Sequence, residues 1–138
     1  MQSQSLAIER VLTLLRETPT RIAELTADLS PEALQMKPAS DEWSANEVLA
    51  HLHACADVWG TCMMKIIAQD HPTWRAVNPR TWIKQTDYPG LAFRPSLGVF
   101  TEQRAGLLAV LSPLPIDAWA RIAAVSTVGR VASEPGGY

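Results

Sequence analysis

Apolar residues recur along this chain at helical spacing and nowhere alternate with the two-residue period of a half-buried strand, so the pattern predicts an all-α domain. Leu6, Val11, Leu12, Leu14 and Leu15 lie among Glu and Arg over residues 4–17, and Ile22, Leu25 and Leu29 carry the stripe past Thr18-Pro19. Proline lacks the N–H that an interior helical position donates. The reading is therefore one kinked helix, or two collinear ones with Thr18 as the second N-cap. Ser30-Pro31-Glu32-Ala33 repeats the cap-then-proline signature and predicts a short helical turn ending before Pro38.

The strongest start signal is Ser44-Ala45-Asn46-Glu47, a capping box in which serine and glutamate satisfy each other's backbone N–H. It opens a long helix over residues 45–69. At 100° per residue from Val48, the stripe Leu52, Cys55, Trp59, Met63 and Ile66 is expected to face the core. Asp57 and Lys65 fall away from it, and His51 and His53 take opposite flanks. Residues 70–95 hold four prolines and two tryptophans and read as a long ordered loop fastened by Trp74 and Trp82. A further helix is predicted over 96–111, with Gln103 and Arg104 solvated; Gly98 and Gly106 weaken it by about 1 kcal/mol each, so packing must hold it. Ser112-Pro113-Leu114-Pro115 stops it. Asp117 is expected to cap a short helix over 118–125, with an irregular tail from about residue 126.

The 138 residues fit one domain, residues 1–138. Twelve basic against fourteen acidic residues leave a net charge of -2, which argues against nucleic acid and anionic membrane as partners. No apolar run approaches the roughly 18 residues of a membrane span, and the first residues lack a signal-peptide pattern, so a cytoplasmic protein is expected. Cys55 and Cys62 sit about 10 Å apart along one helix and cannot bridge within it, which fits a reducing compartment. No phosphate loop, nucleophile elbow or Ser-His-Asp set is present.

The segment Glu42-Trp43-Ser44-Ala45-Asn46-Glu47-Val48-Leu49-Ala50-His51-Leu52 resembles the DinB/YfiT-like superfamily, with its Trp-Ser pair opening the second bundle helix and a His-Leu pair two turns later. Thr18-Pro19, Lys37-Pro38, Asp87-Tyr88, Phe100 with Arg104, and Trp119-Ala120-Arg121 extend the likeness over about residues 5–130. The resemblance implies a four-helix bundle that in many members holds a divalent metal (Ni, Zn or Fe) through three histidines. The first would be His51. The other two form a His-x-x-x-His pair on the fourth helix, and here no histidine lies beyond His71. The fourth helix is accordingly expected to be truncated or missing.

Catalytic metal sites need about three converging N, O or S ligands. Cys55, one turn after His51, is the candidate second ligand, with a third from another segment or subunit. His51 and His53 diverge by about 200° and cannot share an ion. His53 and His71 read as surface or helix-end residues, and Asp57 as solvent-facing. The expected function is a metal-dependent enzyme of the thiol-dependent transferase or hydrolase type, acting on a small molecule through an incomplete site. The alternative is a metal-free, non-catalytic helical domain acting through homodimerisation. Three helices cannot close a four-helix core, so a homodimer is expected.

Overall fold

The computed structural model describes residues 2–127. Its first helix, α1 (Gln2–Thr26), runs unbroken through Pro19. Proline removes the N–H that would have bonded the Leu15 carbonyl. That carbonyl accepts instead from Arg104 Nη1 at 2.9 Å, and the same guanidinium lies 4.9 Å from the Phe100 ring centroid. Thr18, expected as an N-cap, is interior and bonds back to the Leu14 carbonyl at 2.6 Å. Arg104, expected to be solvated, is half-buried and locks two helices together.

The short helix α2 (Pro31–Gln35) starts at Ser30, whose side chain accepts from Ala33 N–H. Helix α3 (Ala45–Ala68) starts at Ser44 with the full capping box, Glu47 N–H to Ser44 Oγ at 3.1 Å and Ser44 N–H to Glu47 Oε1 at 3.2 Å. The backbone bond from Ser44 is the main reason the Glu47 carboxyl sits below its ordinary value. The stretch read as loop contains strand β1 (Thr73–Arg75), helix α4 (Pro79–Trp82) and two 3-10 turns, Ile83–Gln85 and Tyr88–Gly90. Helix α5 (Phe93–Leu111) begins three residues before its expected start. A 3-10 turn (Ile116–Ala120) and strand β2 (Ala124–Ser126) follow.

The helix expected over 118–125 does not form. Asp117 makes no cap, Arg121 Nη1 donates to the Ile66 and Ile67 carbonyls at 3.2 and 2.7 Å, and β2 pairs in parallel with β1, Trp74 opposite Val125. Strands this short carry too few residues to show a period. The irregular tail lies almost wholly outside the described residues, among which three long helices are present and no fourth.

Helix α5 packs against both α1 and α3, and α2 packs against α3. The core gathers Leu34, Leu49, Phe93, Leu97 and Phe100, with Ile22, Leu52 and Ala56 against it. Arg94 closes the end of α1, donating to Thr26 Oγ1 at 2.9 Å and to the Thr26 and Leu29 carbonyls. A guanidinium there satisfies orphan carbonyls and suits the negative end of the helix dipole.

The buried face of α3 is not the expected one. Leu49, Ala50, His53, Ala54 and Val58 are buried, centred about 180° round the helix from Val48. Val48 and Trp59 are 44% and 50% exposed. Hydrophobicity alone points to the expected stripe, whereas α5 and the Tyr88 turn dock on the face that carries Leu49, His53 and Asp57. No described helix is long and apolar enough to cross a membrane.

If Arg104 replaces the missing proline N–H, the two residues are coupled. Arg104→Met should cost about 1–3 kcal/mol in urea unfolding, because it strands the Leu15 carbonyl. In a Pro19→Ala background, where an N–H returns, the same change should cost about 1 kcal/mol less.

Candidate functional site

Asp57 lies at the centre of the buried face of α3, not in solvent. Its Oδ2 accepts from Trp82 Nε1 at 3.0 Å and from Tyr88 Oη at 2.5 Å, and its Oδ1 accepts from Gln103 Nε2 at 3.1 Å. One carboxylate thus joins α3 to α4, to the turn before α5, and to α5 itself. Gln103, expected to be solvated, is half-buried in this cluster. Burial, followed by the Asp57 hydrogen bond and charge, pushes the Tyr88 phenol up to about 12, so it stays protonated and donates at neutral pH.

His53, expected at the surface, is 2% exposed and stacks on Tyr88 with ring centroids 4.1 Å apart and planes 9° apart. Burial lowers its pKa below the ordinary value, with Asp57 and Asp87 opposing. Its Nδ1 has no hydrogen-bond partner among the described residues. The cluster is a latch: the Asp57 oxygens are engaged by three donors and the imidazole is sealed. A groove of about 600 Å³ opens beside it between α3 and α5, with Lys65, Gln103 and Arg104 at its polar edge.

The pair marked by the sequence lies on another side of α3. His51 Nε2 and Cys55 Sγ are 3.4 Å apart, both half-buried, one helical turn from each other. The Trp43 ring meets His51 edge-on at 5.2 Å, and Arg80 lies 5.4 Å from the Trp43 centroid. A cleft of about 260 Å³ runs beside them, lined by Trp43, Glu47, His51, Arg80 and Ile83. Burial raises the Cys55 thiol, against a lowering contact from Trp59, and raises Cys62 as well. Both thiols are thereby held in their less nucleophilic form. His71 follows α3 at a positive φ of 48°, exposed, with Nδ1 2.9 Å from Asp70 Oδ1.

The structure therefore brings the two expected donors together and keeps His53 and His71 apart from them. Among the described residues no group of three or more His, Cys, Asp or Glu gathers as a metal site would require. Two donors do not fit a self-contained catalytic ion with three protein ligands. The residues that sequence reasoning missed are Asp57 and His53. The available signal was position: both point away from Val48, on the face where α5 and the Tyr88 turn dock.

A family model described as the DinB superfamily matches residues 14–133. The fold is similar to that of YfiT from Bacillus subtilis, with a TM-score of 0.71 and 17% identity over 84% of this chain and 66% of that one. That protein is described as a probable metal-dependent hydrolase with an unusual four-helix bundle topology, and this chain spans just under two thirds of its length. No curated protein matches the chain.

Two outcomes test the latch. Asp57→Ala leaves three donors without their acceptor and should lower unfolding free energy by about 3 kcal/mol, while Trp82→Phe, removing one donor, costs about 1 kcal/mol. The lowered His53 pKa means that the native state holds a neutral ring while the unfolded chain takes up a proton below about pH 6.5. Stability should be fully present above that pH and decline as pH falls toward the lower folded value. A melting-temperature profile between pH 8 and 5 should flatten over this window in His53→Gln, relative to the starting protein.

Proposed function

The chain belongs to the DinB superfamily, and from that premise we propose that it acts as a homodimeric helical module working through the outward face of α3, rather than as a hydrolase complete in one chain. The observation that carries this is the apolar face itself. Val48, Cys55, Trp59, Cys62, Met63 and Ile66 lie within about 100° of one another, and no charged residue falls among them. The face runs about 27 Å along the helix. Val48 and Trp59 stand most exposed on it, at 44% and 50%.

The occupant we propose is a second copy. An uncharged stripe is complementary to itself in an antiparallel crossing, which is how a two-fold interface works: the same patch serves both sides. Such a face offers nothing to nucleic acid phosphates, and the net charge of -2 disfavours them further.

A second reading, a metal-dependent enzyme of the thiol-dependent transferase or hydrolase type with a small-molecule substrate and a Ni, Zn or Fe ion, is favoured by His51 standing in the family's His-Leu position. It requires ligands from outside the described residues. Purified without a histidine tag, the protein would then hold about one metal per chain, lost in His51→Ala, and the loaded form would turn over substrate; absence of metal under saturating conditions would end this reading.

Sedimentation equilibrium tests the dimer. The chain should be dimeric at micromolar concentration, and Trp59→Glu, which places a charge in the interface twice, should weaken association by about 100-fold while leaving the helical circular dichroism unchanged. A monodisperse monomer of the unsubstituted chain at those concentrations refutes the proposal.

A further inference from the structure

The C-terminal half of α3 meets the connection to α5 around a further cavity. It measures about 240 Å³ and is lined on α3 by Asp57, Cys62 and Lys65, and on the connection by Trp74, Arg75 and Trp82. Cys62 and Lys65 lie about 16 and 21 Å along the helix from His51, and the cavity shares no lining residue with the cleft beside the His51–Cys55 pair.

Two indoles wall this cavity, and each is fixed by something other than its contents. Trp82 is held through its N–H on Asp57 Oδ2 at 3.0 Å, and Trp74 belongs to β1, where it pairs with Val125. Walls already in place cost little ordering entropy when a molecule enters.

The charge around the cavity is one-sided. Lys65 is half-buried, with its ammonium 5.8 Å from the Trp74 ring centroid. Among the described residues, ion pairs join Lys37 to Glu47 and His71 to Asp70, and none reaches Lys65 or Arg75. The carboxylate of the lining, Asp57, has its oxygens engaged by Trp82, Tyr88 and Gln103. A cation drawn partly out of water with no acid beside it is a charge left for another group to meet. Arg75, exposed at the rim, adds a planar fork that matches a carboxylate.

Aromatic walls and uncompensated cations select one class of molecule, a flat ring bearing an anionic group. The volume falls below the roughly 300–1,000 Å³ of drug-sized ligand sites, which limits the occupant to a single ring. We propose that this cavity binds a small aromatic carboxylate, its ring against Trp74 and Trp82 and its carboxylate toward Lys65 and Arg75. The site is independent of the homodimer and of any metal at His51.

The test is a titration of the isotope-labelled full chain with sodium benzoate at constant ionic strength, followed through the indole N–H signals of its five tryptophans. Expected is saturable binding with a dissociation constant on the order of 1 mM, as suits so few heavy atoms, that moves the Trp74 and Trp82 signals and leaves Trp43 in place. Benzamide, a ring without the charge, and acetate, the charge without a ring, should each bind at least about 10-fold more weakly. Lys65→Met should weaken benzoate by about 10-fold with the helical circular dichroism unchanged. The three probes are compared on the unsubstituted chain, so a variant that misfolds does not decide the matter. Absence of saturation at about ten times the expected constant overturns the site. Benzamide or acetate binding as tightly as benzoate overturns the assigned class. Shifts confined to tryptophans other than Trp74 and Trp82 put benzoate elsewhere and overturn the proposal as well.

Discussion

A half-buried carboxylate is held by the donors its oxygens accept from, and Asp57 draws them from side chains on three separate stretches of the chain. The connection between α3 and α5 contributes no residue to the central apolar cluster before Phe93. What keeps it against the helices is polar: the Trp82 indole, the Tyr88 phenol and the stacking of Tyr88 on His53. Because Gln103 joins the same carboxylate, the position of α5 against α3 is set at one point from which the connection is also hung. Asp57 thereby adds a directional anchor to the face of α3 whose Leu49 packs into the apolar cluster.

The same logic recurs with opposite charge. Three arginines, Arg94, Arg104 and Arg121, each leave their own segment to satisfy carbonyls at a helix end or break. Guanidinium forks suit this work because they carry several donors in a fixed plane and stay charged when half-buried. Phe100 adds an aromatic surface for Arg104, so the break at Pro19 is tied to a specific turn of α5. Apolar packing in this molecule is confined mainly to one cluster, and directional bonds set how the helices meet beyond it.

Some local signals were read well from sequence and others were not: Thr18 and Asp117, also expected as caps, do not cap, because the elements they would open do not start there. Ser30 and Ser44 cap as their neighbours require, since a cap depends on three or four residues in a row. The spacing of His51 and Cys55 likewise places both groups, because helix geometry alone decides it. The facing of α3 was not legible: its outward stripe is the more hydrophobic, and the residues that select the buried face, Trp82, Tyr88, Phe93, Phe100 and Gln103, are distant in sequence. Asp57 looked solvent-facing for the same reason, and His53 looked like a surface histidine because its stacking partner lies in a different element. The strands β1 and β2 escaped notice because three residues cannot display a period, and their pairing links positions far apart in the chain.

That pairing has a consequence for the order in which the molecule assembles. Thr73 meets Ala124 across about fifty intervening residues, and closing a loop of that length costs entropy that three short rungs cannot offset by themselves. The rungs become favourable only when α5 has already docked and shortened the effective gap. They therefore belong to the last cooperative unit to form and the first to open. Slower amide exchange is expected at the α3–α5 contact than in this ribbon. Arg121, just before β2, ties the ribbon to the carbonyl end of α3.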